Sequence, residues 1–239
     1  MEPTQIIVIL TLSFLAATIS GVAGFGGGLI LLPLLTYFVP LNVAVPLLTV
    51  AQLFGNGSRV YFSYKELRWR PVILFLLGAI PFAVLGSRLM VNINSSLLKI
   101  CIGFFLILVV SYKRCNKKDF GLNQYWLTPG GAITGFVSGL IGSAGPVGAV
   151  FFLGLKLPPL SYISSEAFTA LSMHLTKIFV YGKFELLNID TLVTGTLAGL
   201  AMVGGSYLGK RIITKLSTKK VDLIIEILLL VSAVQLIIF

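Results

Sequence analysis

Apolar residues fill this chain in long blocks, and polar residues gather in the gaps between them. The blocks lie at about 5–22, 28–40, 42–63, 71–91, 96–112, 126–142, 146–155, 159–181, 190–209 and 221–239. A helix needs roughly 20 apolar residues to cross the hydrocarbon layer of a bilayer, and most of the blocks reach that length. The blocks at 28–40 and 146–155 do not. Each of these follows directly on an interruption rich in small residues, GFGGG at Gly24–Gly28 and GSAGP at Gly142–Pro146. The pattern predicts an all-α integral membrane protein of ten segments, with a short broken helix after a glycine break in each half.

The two halves echo one another. Ser20-Gly21-Val22-Ala23-Gly24 aligns with Ser138-Gly139-Leu140-Ile141-Gly142 at an offset of 118, which also places Gly27 on Gly145, Pro40 on Pro158, Asn56 on His174 and Arg59 on Lys177. The expected organisation is one transmembrane repeat over 1–112, a basic linker over 113–125 and a second repeat over 126–239, each repeat holding five segments. An odd number of crossings per repeat makes the repeats inverted.

Charge sets the orientation. If all ten segments cross, the loops at 64–70, 113–125, 156–158 and 210–220 share one side and carry thirteen of the eighteen Lys and Arg residues. The positive-inside rule makes that side cytoplasmic. Both termini are then outside, and a plasma (inner) membrane location follows. Only 11% of the residues are charged and 56% are hydrophobic, against roughly 25% charged in a soluble domain. The net charge of +10 therefore indicates cytoplasmic loops on anionic lipid rather than a nucleic-acid partner. The start, MEPTQ, has no basic run ahead of the first block, so that block is expected to be retained rather than cleaved. Two cysteines, Cys101 and Cys115, suggest neither a disulfide framework nor a metal cluster. No nucleophile–base, metal-ligand or paired-carboxylate pattern stands out, so neither enzyme chemistry nor a cofactor is expected.

Glycine is a poor helix former, and non-helical backbone at membrane depth is tolerated only where it is buried in protein or lines a cavity. Broken helices at matching points of inverted repeats mark the midplane sites of many secondary transporters. The N-terminus of the half-helix after each break attracts anions. The candidate site is therefore Gly24, Phe25, Gly26, Gly27 and Gly28 from the first break, with Ser143, Ala144 and Gly145 from the second. Arg59 and Lys177 fall inside apolar blocks, where a lone cation costs about 2.5–3.5 kcal/mol, and are candidates to supply charge. Gln52 and Asn56 share the polar side of the Arg59 block, and His174 shares that of Lys177. No deep acidic partner is expected for either cation, since Glu166 lies nearer the start of its block. The competing reading of the cations is that both snorkel to the interface. His174 has two open roles, a hydrogen bond to a neighbouring helix or proton handling, so proton coupling stays open. The glycines at 131, 135 and 139, at 195 and 199, and at 205 and 209 are read as helix-packing positions.

ISGVAGFGGGLILLPLL near the start, its echo VSGLIGSAGP, and AQLFGNGSR ending at Arg59 together resemble the sulfite exporter TauE/SafE family, also called the toluene sulfonate uptake permeases. The resemblance implies a two-repeat membrane protein that transports sulfite, sulfonates or other small organic anions. It also implies a basic residue in the third segment of each half, carried here by Arg59 and Lys177. His174 departs from the Asn that the resemblance implies at that place. The expected function is transport of a small anion by alternating access around a site between the repeats. A passive anion channel and a non-transporting membrane subunit are the rivals. Oligomeric state is not legible in the sequence.

Overall fold

The fold is described from a computed structural model covering residues 2–90 and 121–238, with Ile100, Phe104, Leu106, Ile107, Leu108 and Ser111 between them. Most of the apolar block at 96–112, both cysteines and the basic run Lys113–Lys118 lie outside the described residues. Among the described residues there is no strand. The helices are α1 (Pro3–Ala23), α2 (Gly27–Phe38), α3 (Leu41–Ser63), α4 (Trp69–Leu89), α5 (Leu127–Ile141), α6 (Gly145–Leu153), α7 (Pro159–Lys183), α8 (Ile189–Ile213) and α9 (Thr218–Ile238). They coincide with the apolar blocks to within about one turn.

Helices α1, α4 and α8 are long and apolar enough to cross a membrane. Leu77, Leu200 and Val231 are among many large apolar side chains on the outer surface, as lipid requires and water would penalise. Helices α3 and α7 are equally long, with 23 and 25 residues, but bury polar and charged side chains at the centre. At 1.5 Å per residue, α2 and α6 extend only about 18 and 14 Å, well short of the ~30 Å hydrocarbon layer.

The breaks form where the chain needs left-handed backbone. Helix α1 ends on Gly24 at φ +86°, whose N–H donates to the Ser20 carbonyl at 2.8 Å. Helix α5 ends on Gly142 at φ +82°. Gly26, at φ +107°, caps the start of α2. Glycine adopts these angles without the steric penalty of a β-carbon.

Glycine acts differently in the packing. The most extensive helix pairings are α4 with α5 and α1 with α8, and they exchange if the two halves of the chain are exchanged. A β-carbon on Gly131 would collide with the Phe75 carbonyl oxygen, one on Gly135 with that of Ala79, and one on Gly205 with that of Phe14. A β-carbon on Gly195 would lie 2.7 Å from Val50 Cβ, and one on Gly209 2.7 Å from the Thr18 carbonyl oxygen. These stripes bring backbones into direct contact, the arrangement that helix association in lipid favours.

Pro33 sits inside α2. It has no N–H, so the carbonyl of Leu29 loses its helical donor. Gln235 of α9 supplies one, its Nε2 donating to the Leu29 oxygen at 2.7 Å. Gln235→Leu is expected to destabilise the protein by about 1–3 kcal/mol, the cost of an orphaned buried acceptor. The check is the unfolding midpoint in detergent, and an unchanged midpoint would mean that the carbonyl finds another donor.

Candidate functional site

The two glycine breaks meet. A β-carbon on Gly28 would collide with the Ser143 side chain, and one on Gly145 would lie 3.1 Å from Phe25 Cβ. The starts of α2 and α6 are thereby brought to one place, each with N–H groups that lack an intrahelical acceptor. Pro146 removes one of those donors from α6. Beside this junction lies a buried cavity with about 30 Å³ open to the centre of a water molecule. A single water needs roughly 10–15 Å³ by that measure, so the space is on the scale of two waters or one small ion.

Its wall includes Phe25, Gly26, Gly27, Gly28, Gln52, Asn56 and Arg59 from the first half, and Ser143, Ala144, Gly145, Glu166 and His174 from the second. Eleven of the thirteen residues singled out in the sequence are thus on one cavity wall. The exceptions are Gly24 and Lys177, which lie behind it.

The two cations occupy equivalent positions in the backbone. Lys177 Nζ donates to the carbonyls of Ser138 at 3.4 Å and Gly142 at 2.8 Å, and to Ser138 Oγ at 3.2 Å. Arg59 Nη1 donates to the carbonyls of Ser20, at 3.3 Å, and Gly24, the residues that correspond at the offset of 118. Each cation therefore caps the last turn of the helix before its break, where unpaired carbonyls and the negative end of the helix dipole lie. Snorkelling is excluded, because Lys177 is 0% and Arg59 5% exposed. All three protons of Lys177 are accounted for by these acceptors. Arg59 does more. Its Nη2 donates to Asn56 Oδ1, Asn56 Nδ2 donates to Gln52 Oε1 at 3.3 Å, and its Nε has no partner.

The expectation that neither cation has a deep acidic partner does not hold. Glu166 is 3% exposed, and its Oε2 stands 3.5 Å from Arg59 Nη1 as an ion pair without a hydrogen bond. The reason is helical spacing. Glu166, Ala170, Met173, His174 and Lys177 follow the i, i+4, i+7, i+8, i+11 pattern of one helix face, so Glu166 points where His174 points. Measuring its distance along the segment hid this, and the face would have revealed it. Tyr162, one turn earlier, lies against Gly24, and its hydroxyl donates to the Ala23 carbonyl at 2.9 Å.

Four polar atoms of the cavity side chains lack a hydrogen-bond partner: Gln52 Nε2, Arg59 Nε, Glu166 Oε2 and His174 Nδ1. Buried polar groups are seldom left unpaired. Two of these atoms are obligate donors on the same wall as the free amides of the breaks.

Apolar helices around a buried polar cavity, entered by two broken helices, define a multi-pass membrane protein built as transporters are. A family model described as sulfite exporter TauE/SafE matches residues 9–236, and the chain belongs to that family. It is 22% identical, over 97% of both chains, to a protein of Bacillus subtilis (strain 168) named probable membrane transporter protein YunE. It is 26% identical, over 63% of this chain and 62% of the other, to probable membrane transporter protein MJ0441 of Methanocaldococcus jannaschii. No solved structure matches. The protein is a membrane transporter.

Proposed function

We propose that this transporter carries a small anion, of the sulfite, sulfonate or related organic-anion class, by alternating access at the junction of the two breaks. The observation that carries this reading is the set of unpartnered donors on one wall. Gln52 Nε2 and Arg59 Nε stand with the first amides of α2 and α6, which are suited to anionic oxygens. Arg59 is the contacting cation. Lys177 acts from behind by neutralising the end of α5.

The two halves act as inverted repeats of five segments over 1–112 and 126–239, with the linker 113–125 on the cytoplasmic side of the plasma membrane and both termini outside. The exchange of α4–α5 with α1–α8 supports a two-fold relation between the halves, and the one-sided basic loops support the orientation. Rocking one half against the other would open the junction alternately to each side.

The test is a thermal-shift series on purified protein with sulfite, methanesulfonate and larger sulfonates. A bound anion at a hundred times its Kd is expected to add about 2.7 kcal/mol of stability. Flux in proteoliposomes that accumulates the same anion against its gradient distinguishes a transporter from a channel. No stabilisation by any of these anions would overturn the reading.

A further inference from the structure

Glu166 is the feature of the cavity that the anion reading alone leaves unexplained. A carboxylate there opposes an incoming anion, and the repeat relation does not require it, since position 48, its counterpart at the offset of 118, is Leu. Arg59 is the charged group that faces it, at 3.5 Å. On its own helix Tyr162 is spent on the Ala23 carbonyl, Lys177 on the end of α5, and His174 shares the cavity wall. At the turn between α3 and α4, Glu66 accepts from Ser161 and the Arg68 guanidinium donates to the same hydroxyl, five positions before Glu166 along α7, while the Arg68 backbone N–H donates to Ser165, one position before it. Helices α4, α5 and α6 bring only Phe75, Thr134, Ser138, Gly145 and Gly148 to the cavity. Among the described residues on this wall, Glu166 and Arg59 are the charged pair, and they balance each other.

We infer that Glu166 is the coupling residue of this transporter: it holds Arg59 while the site is empty, and it takes up one proton when an anion displaces it. This inference rests on the anion reading above. Two negative charges around one guanidinium, in a space of about 30 Å³ lined by buried side chains, repel strongly. One of them must be neutralised, and the carboxyl Oε2, unbonded and facing the cavity, is the atom that accepts the proton. The pair Arg59⁺·Glu166⁻ becomes Arg59⁺·anion⁻ beside a neutral carboxylic acid, whose new O–H can donate to the anion. These charges are again balanced, so one proton travels with each monovalent anion and no net charge crosses the membrane.

The experiment is calorimetric titration of methanesulfonate, whose own charge is constant across the working pH range, in phosphate and in Tris at the same pH. The difference in heat counts the protons taken up. The parent protein is expected to take up about one per anion, with Kd weakening about tenfold per pH unit on the alkaline side. Glu166→Gln should bind with no uptake and a flat pH profile, whereas Gly57→Ala, whose added methyl meets nothing nearer than Leu171 Cδ1 at 4.0 Å, should keep the uptake of the parent. Binding by the parent without proton uptake overturns the coupling and leaves the anion site standing, even if Glu166→Gln fails to fold. Retained uptake in Glu166→Gln, or uptake lost in Gly57→Ala as well, also overturns it. Failure of the parent to bind either methanesulfonate or sulfite removes the anion reading and this inference with it.

Discussion

Arg59→Gln is expected to cost about 3–5 kcal/mol of stability and to abolish anion binding, while adding Glu166→Gln to it recovers the larger share of the stability and none of the binding. Removing one member of a buried ion pair leaves the other charged and uncompensated, which is the main source of the loss. Glu166, 3.5 Å from the guanidinium and itself buried, is that stranded charge, and amidation removes it. A smaller cost persists in both variants. The carbonyls of Ser20 and Gly24 lose their charged donor, worth about 1.5–3 kcal/mol for hydrogen bonds to charged groups. Unfolding midpoints in detergent, read beside methanesulfonate affinity, separate the two effects. A double variant no more stable than Arg59→Gln would show that Arg59 matters only as the cap of α1.

Gly135→Val should be the most damaging change away from the cavity. A β-carbon there collides with the Ala79 carbonyl oxygen, and the contact is reciprocal, since Gly78 meets the Thr128 carbonyl and Gly86 that of Phe136. Backbone cannot rotate aside as a side chain can, so α4 and α5 must separate along their length. That also strains the hydrogen bond from Thr128 Oγ1 to the Leu74 carbonyl, now 2.8 Å. Lipid offers the parted helices no hydrophobic force to re-close them. The cost should exceed the ~1–3 kcal/mol usual for overpacking, and the variant should fail to accumulate as monodisperse protein. Gly57→Ala is the control. The nearest atom to its β-carbon is Leu171 Cδ1 at 4.0 Å, and alanine favours helix by about 1 kcal/mol over glycine. Equal yields of the two variants would mean that α4 and α5 are not held by backbone contact.

Much of this arrangement was legible in the sequence, because the determinants are local. Apolar block length placed the helices, and glycine clusters marked the breaks, since left-handed backbone at Gly24, Gly26 and Gly142 admits little else. The offset of 118 paired Arg59 with Lys177, and the shared carbonyl contacts follow that pairing atom for atom. What the sequence concealed depends on three-dimensional neighbours. The spacing of Glu166 placed it on the His174 face, but only the packing of α7 on α3 brings it to Arg59. Likewise, nothing in the run around Lys177 says that its protons are used by α5. The separation of the two cations into one beside the cavity and one behind it comes from tertiary packing alone. Glycine also has two uses here that composition cannot separate, backbone angle at Gly26 and backbone contact at Gly135.

The bond from Gln235 to the Leu29 carbonyl joins residues 206 positions apart. A ribosome adding about 5–20 residues per second delivers the donor some 10–40 s after the acceptor. Throughout that interval α2 is already made, with Pro33 inside it and the Leu29 carbonyl without its donor. The far wall of the cavity does not yet exist either, since Glu166 and His174 are still to be translated. The first broken helix must therefore wait in a provisional state, sheltered by the insertion machinery or by water, and its final setting is among the last events of biogenesis. Faults in the closing stretch of the polypeptide would thus surface as defects at its opening one.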